Sequence, residues 1–492
     1  MKSGMHEKEK VETVRNYLEG KLQDIEGEPI YDIYNPAFGK VVARTAGSGP
    51  GVVDAAVDNA REAFRSWSSV PVTDRVKILF RLESLMRENA DEIARIVTTE
   101  HGKTFDESYG EVMRAVENVE SATAATYHIM GRNNSDIARG IDEELIREPI
   151  GVFAVIAPFN FPVMVPFWFI PYAIGLGNTV VVKPSEKVPL TMQFVSSLFE
   201  KAGIPPGVVS IVNGGQETVE ALLSNRHISG YSFVGSTRTA EIIHRRGTET
   251  HRRVQAGASA KNYELVMPDA DLKIVIPSLI SSFFGNAGER CLAGSVLVTL
   301  PENHEKVVNA FAEAASKLRL GFGLDADTDM GPLIREDHLK RVESYIDKGV
   351  EEGASLILDG RKKRSPKHPE GYFLGPTIFD SATGDMKIVT DEIFGPVASV
   401  MEAENLDSAI EAINRSRYGN SATIFTSSGR SAREFVHGVE AGNFGVNVGV
   451  AAPISFYPFG GYKDSFFGDL HAQGGDDHVM FFTERKVVVS RW

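Results

Sequence analysis

The sequence predicts an α/β protein made of two parallel-sheet domains, one of them Rossmann-like, with a separate β-strand arm. Three observations predict it. Apolar, strand-like runs alternate with helical patterns from residue 150 onward, a second such series begins near 263, and two charged strand-like segments, "EELIREPIG" and "VMFFTERKVVVSRW", belong to neither. Strands buried on both faces read as continuous apolar runs, and their alternation with helices means helix-covered parallel sheets. At 492 residues the chain exceeds one ordinary core.

Residues 150–182, "IGVFAVIAPFNFPVMVPFWFIPYAIGLGNTVVV", carry no charge and are long enough to span a membrane. Pro158, Pro162, Pro166 and Pro171 interrupt them, so the stretch divides into a strand (about 150–157), a helix (about 163–176) and a strand (179–183). "TVVVKPS" then leads into "PLTMQFVSSLFEKAG", with Pro189 in a first helical turn and Gly203 as a stop. "VVSIVNGG" leads into "ETVEALLSN". "GYSFVGS" leads into "TRTAEIIHRRG", with Ser236 as N-cap and Gly247 as stop. No GxGxxG fingerprint accompanies these strands. The second series runs through "YELVM", "SVLVTL", helices at about 303–319 and 335–352, "YFLGPTIFD", "PVASVMEA", "SATIFTSS" and "FGVNVG". The expected domains are 1–130 with 150–262 for the nucleotide, 263–445 for catalysis, and 131–149 with 476–492 as an oligomerisation arm.

Composition is that of a soluble globular protein, with 42% hydrophobic and 24% charged residues. The net charge of −14 speaks against nucleic acid and anionic membranes as partners. A single cysteine excludes an internal disulfide and a Cys-rich zinc site, and the 12 His lack metal-ligand spacing, so no metal is expected. The N-terminus has no apolar export segment, and the expected location is cytoplasmic.

The lone thiol, Cys291 in "FFGNAGERCLAGS", follows Arg290 directly and is surrounded by small residues. A nucleophilic thiolate needs a lowered pKa and access, and these neighbours suit both. An inert buried cysteine is the alternative. Asn160, in "APFNFP", lies at the end of a parallel strand, where open α/β sheets bind ligands, and its amide can donate to a developing oxyanion. Lys183 and Glu186 sit at the next strand end, where an acid accepts from ribose hydroxyls and repels a 2′-phosphate. Gly235 and Ser236 open a helix N-terminus suited to a pyrophosphate. Glu392 and Phe394 precede a Gly-Pro turn, where an exposed acid can hold a second ribose. Each signal alone also fits a capped helix, a turn or a solvated charge.

Together these residues resemble the aldehyde dehydrogenase superfamily over nearly the whole chain, from "YNPAFGKVVA" onward. The resemblance implies that Cys291 attacks an aldehyde, that the adduct passes hydride to a nicotinamide, and that a thioester is then released. It implies Asn160 and the Cys291 N–H as oxyanion donors. It implies NAD as cofactor, held by Pro158, Phe159, Lys183, Glu186, Gly214, Gly235, Ser236, Glu392 and Phe394. Motifs such as "APFNFPVMVPFW", "VVKPSEKVP", "AGERCLA" and "GYKDSFFGDLHAQGGDDHVMFFTERKVVVSRW" are most similar to its coenzyme-A-acylating branch, the methylmalonate-semialdehyde dehydrogenases. That likeness implies coenzyme A as co-substrate, a homo-oligomer, and Arg114 and Arg290 as ligands for a substrate carboxylate, two forks that also raise the thiolate fraction. Hydrolytic members carry a glutamate base where "VQAGASAKN" has Ala256, and without a positioned carboxylate water is a poor nucleophile. Hydrolysis of another small aldehyde, with Glu289 as base, is the alternative, and an inactive nucleotide-binding homologue a further one.

Overall fold

The computed structural model describes residues 11–24, 27–471 and 473–492. The charged residues 1–10, on which the reading of the N-terminus rests, lie outside the described residues.

Two large sheets organise the chain. The first has eight strands, in spatial order Phe466–Phe467, Arg253–Gly257, Ile228–Val234, Val152–Ile156, Thr179–Lys183, Val209–Ile211, Asn16–Leu18 and Lys21–Gln23. The five from Arg253–Gly257 to Val209–Ile211 are parallel, and the flanking strands are antiparallel. Alternate side chains of the central strand feed two cores. Phe153 and Val155 pack into one, Ala154 and Ile156 into the other. From Val152–Ile156 the chain adds strands to one side, then returns to the other side with Ile228–Val234. The order therefore reverses between these two strands, and their carboxyl ends form the crevice in which such sheets bind ligands.

The second sheet has seven strands, in order Ser355–Leu358, Thr377–Asp380, Val397–Glu402, Gly294–Thr299, Asn262–Val266, Ser421–Phe425 and Asn443–Val446. All run parallel except the first. A third sheet stands apart: Ile141–Pro149 pairs antiparallel with both Thr483–Arg491 and Arg132–Ala138. Among the described residues no helix is long and apolar enough to cross a membrane.

Local expectations fail at three places, each for a physical reason. The helix expected over 163–176 forms as two pieces, Met164–Phe167 and Ile170–Gly175, because Pro166 and Pro171 lack the N–H groups that a continuous ladder needs. Gly247 is no stop but lies inside helix Thr237–Glu249, where a Cβ would come within 2.3 Å of a Val254 methyl. The chain turns only at His251, with φ of 59°. "VMFF" is helical, within Asp477–Phe482, and the terminal strand begins at Thr483. By contrast Ser236 caps its helix by accepting from the Thr239 N–H, and Gly203 closes helix Leu190–Ala202 with φ of 86°.

Candidate active site

Cys291 sits three residues ahead of strand Gly294–Thr299, at the foot of a cavity of about 320 Å³. Two amides anchor its backbone: Asn262 Nδ2 and Asn420 Nδ2 donate to the Cys291 carbonyl at 2.9 and 2.8 Å. The turn before it is held in left-handed geometry, with φ of 52° at Asn286, 50° at Ala287 and 75° at Gly288. Gly288 is required there, since a Cβ would lie 2.3 Å from the Gly395 carbonyl oxygen.

The cavity wall carries both predicted arginines, Arg114 and Arg290, beside the thiol. Each is already paired. Arg290 Nη2 lies 2.9 Å from Glu107 Oε1, and Arg114 Nη1 lies 2.8 Å from Glu117 Oε2. Glu107 is further saturated by the Asn286 N–H at 2.6 Å and by Thr104, whose helix it closes with a capping box. Glu111, also in the wall, binds Lys103 Nζ at 2.7 Å and the Val163 N–H at 2.9 Å. Sequence reading missed these three acids. The signature Thr104-x-x-Glu107 was available for the first, but a capping box does not say what its glutamate meets across the fold. Beyond this polar rim the wall is apolar, with Phe161, Met164, Trp168 and Phe459.

The expectation that Arg290 activates the thiol is corrected. Burial, and then the charge of Glu392, push Cys291 up to about 12, whereas Arg290 pulls down least of the groups around it. The N–H groups of Cys291 and Leu292 pull down somewhat more. Adjacency in sequence does not help because the guanidinium is turned toward Glu107. Glu392 is not the exposed acid expected. It is half-buried and accepts from the Ala260 N–H at 2.9 Å.

Asn160 is buried and faces the thiol turn, its Nδ2 donating to the Glu289 carbonyl at 3.0 Å while its own carbonyl accepts from Lys103 Nζ at 2.6 Å. One amide hydrogen remains. Phe159 meets Phe394 edge-on, with centroids 5.8 Å apart, and Phe394 takes a φ of 60°. Pro158 is half-buried beside them. Lys183, Glu186 and Gly214 form a second group at the neighbouring strand end. Lys183 Nζ donates to the Gly214 carbonyl at 3.0 Å and lies 3.6 Å from Glu186 Oε2. Gly235 and Ser236 follow strand Ile228–Val234 on the other side of the crevice. Ser259 exchanges hydrogen bonds with Thr237 at 3.2 and 3.3 Å, and its neighbour Ala260 donates to Glu392. Ala256 is fully buried in the strand core and Glu289 is buried away from the cavity wall, so neither offers a base to water in the cavity.

The aldehyde dehydrogenase family model matches residues 23–488. The chain belongs to the aldehyde dehydrogenase family. Within that family it is 48% identical over 479 residues to malonate-semialdehyde dehydrogenase 2 of Bacillus thuringiensis (strain Al Hakam), covering 97% of this chain and 98% of the relative. The methylmalonate-semialdehyde dehydrogenase of Oceanimonas doudoroffii superposes with a TM-score of 0.96 at 38% identity, covering 98% and 99% of the two chains. An aldehyde dehydrogenase of Bacillus cereus in complex with NAD+ superposes with a TM-score of 0.91 at 32% identity, covering 98% and 97%. This chain and the two solved structures share the α/β aldehyde dehydrogenase fold.

Proposed function

We propose that the protein oxidises a small carboxylated semialdehyde, malonate or methylmalonate semialdehyde, with NAD and coenzyme A, giving acetyl- or propionyl-coenzyme A, CO2 and NADH. The observation that carries this reading is the wall of the thiol cavity. It holds two arginines that can fork onto a carboxylate, while every carboxylate in it is engaged by a cation or by backbone donors. The two arginines offer partners to a substrate carboxylate, and Glu107 and Glu111 keep their backbone N–H donors when a cation leaves, which makes them poor bases toward water. A thiol co-substrate needs far less activation.

The dinucleotide fits the residues present. Glu186 supplies a carboxylate for ribose hydroxyls beside buried Lys183, the N-terminus of helix Thr237–Glu249 stands on the opposite lip, and Glu392 waits at the thiol end. Bound there, it supplies the hydride acceptor that turns a Cys291 thiohemiacetal into a thioester. The chain's own part begins with Cys291 adding to the aldehyde carbon as its thiol proton passes to solvent. The oxygen of that adduct gains charge, and the remaining Asn160 amide hydrogen and the Cys291 N–H are its donors. Arg114 and Arg290 exchange Glu117 and Glu107 for the substrate carboxylate. Strand Thr483–Arg491, with Val487 and Val489 exposed, is the edge through which a homo-oligomer assembles, and the cytoplasm is the compartment proposed.

The test is NADH formation from malonate semialdehyde with and without coenzyme A. Without it, a burst of about one equivalent per site and a slow steady state are expected, and with it, fast turnover to a thioester. Full turnover to free acid in coenzyme-A-free buffer would overturn the acylating reading and favour hydrolysis.

A further inference from the structure

Behind the thiol, on the side away from the cavity, lies a buried group of side chains that the proposed mechanism does not use. Glu289, two residues before Cys291, is fully buried. Its Oε1 receives only a long bond from the Ile334 N–H, 3.3 Å, and its Oε2 has no partner. Two imidazoles face it: His338 Nε2 at 3.4 Å from Oε1 and His101 Nε2 at 4.0 Å from Oε2. His101 is itself fully buried with both ring nitrogens unpartnered. An ionised carboxylate without a cation or full hydrogen bonding is costly in such a place.

The neighbouring cations do not relieve it. Lys103 is taken by Glu111 and by the Asn160 carbonyl, with Glu107 and Arg290 beyond it. Lys187 lies over the Phe159 ring, 4.8 Å from its centroid. Arg341 donates to the Ile393 carbonyl, and with Asp337 it faces His338 rather than the acid. The imidazoles cannot serve as cations either, since burial drives His338 down to about 4 and His101 well below its ordinary value. His338 Nε2 is 2.7 Å from the Phe394 carbonyl, so that nitrogen carries the hydrogen. An acidic proton on Glu289 Oε2 would face the unpartnered Nε2 of His101.

Glu289 also holds the catalytic side directly. Its backbone carbonyl accepts from Asn160 Nδ2 at 3.0 Å and from Asn286 Nδ2 at 3.1 Å. Through His338 the same group reaches Phe394, and Phe394 meets Phe159 next to Asn160. We propose that Glu289 is a positioning residue that works as a neutral carboxylic acid, seated between His101 and His338 to hold the thiol turn so that its carbonyl fixes the Asn160 amide and His338 fixes Phe394. Loss of the proton to solvent leaves a bare buried charge that draws in water or a second proton, and the turn loosens. Burial raises the acid to about 8, so the neutral form prevails at neutral pH and is lost above it.

This inference rests on Asn160 acting in the first half-reaction, so the readout is the NADH burst, which needs no coenzyme A and stands whether or not the acylating reading does. Cys291, pushed up to about 12, ionises further as pH rises in every variant, so the comparison is the ratio of the wild-type burst rate constant to that of Glu289→Gln. That ratio should fall about eightfold between pH 7.5 and pH 9, following the neutral fraction of an acid near 8. Glu289→Gln cannot ionise and should carry the rise in Cys291 thiolate with no added alkaline fall from position 289. Glu289→Asp keeps an acid and should keep the alkaline fall. Lys261, brought to about 7 by burial beside Glu392, is untouched by these changes, so a fall that it causes would persist in Glu289→Gln. Infrared difference spectra of wild type minus Glu289→Gln, read without any substrate, should show a protonated carboxylic acid at pH 7 that disappears by pH 9.5. Parallel pH profiles for the wild type and Glu289→Gln, or no protonated-acid band at pH 7, would overturn the proposal.

Discussion

Asn160 shows what a single residue contributes and how much of it can be read in advance. One of its amide hydrogens is committed to the Glu289 carbonyl, so only the other is available to an oxyanion. Asn160→Ala should lower the burst rate about 10²–10³-fold, the usual cost of one such donor, with little change in aldehyde affinity. A change confined to KM would assign Asn160 to substrate binding. The position of this residue after an apolar strand was legible, because open α/β sheets bind at strand ends. The same reasoning marked Lys183 and Glu186. Its partner Lys103 and the acids of the cavity wall were not legible. Glu107, Glu117 and Lys103 come from the helical region near residues 100–120, and nothing local says that those side chains turn toward a thiol nearly 200 residues on. The effect of Arg290 on the thiol was overestimated because its guanidinium is paired with Glu107, while burial and Glu392 push the thiol the other way.

Strands were legible as elements because burial on both faces leaves continuous apolar runs, as in Val152–Ile156 and Thr179–Lys183. Glycines were less so, because a stop and a close contact leave the same letter. Gly203 ends a helix, Gly247 packs inside one, and Gly288 does neither. Gly288 combines a φ of 75° with a Cβ position 2.3 Å from the Gly395 carbonyl oxygen, which belongs to the segment after Glu392 and Phe394. Gly288→Ala therefore has no relaxed solution: either the thiol turn moves or the Glu392 segment does. A stability loss of about 1–3 kcal/mol is expected, with a larger fractional loss of kcat than of folded protein. Gly51→Ala, in a helix with open space around the site, is the control. Equal, small effects of the two substitutions in thermal unfolding and in the burst assay would show that the turn tolerates a side chain.

At the scale of the whole molecule, the pH dependence of stability follows from groups that the interior holds in their neutral forms. Glu264 is buried like Glu289, bonded to the Ser282 hydroxyl through one oxygen and without a partner on the other, and burial raises it from 4.5 to about 8. The folded chain keeps the proton that an unfolded chain releases near pH 4.5, so unfolding releases a proton in this window. Stability from this group is then fully present below about 4.5 and is lost as pH rises toward 8, on the order of 1 kcal/mol per pH unit at most. Half-buried His338 and buried His478 act oppositely at lower pH. Held down to about 4 and about 3 from 6.5, they contribute stability that is fully present above 6.5 and is lost as pH falls from there through those lower values. Lys261, lowered from 10.5 to about 7, adds stability as pH rises above 7. With these trends opposed, the absolute curve isolates no group, but a difference between two proteins does. Glu264→Gln keeps an acceptor for Ser282 and cannot ionise. Its thermal midpoint, compared with that of the wild type by calorimetry at several pH values, should show no gain at pH 4.5, a gain growing steadily to pH 8, and a plateau beyond. Parallel midpoints from pH 4.5 to 9 would mean that Glu264 ionises in the folded protein as freely as in water, and that its unpartnered oxygen has found a donor.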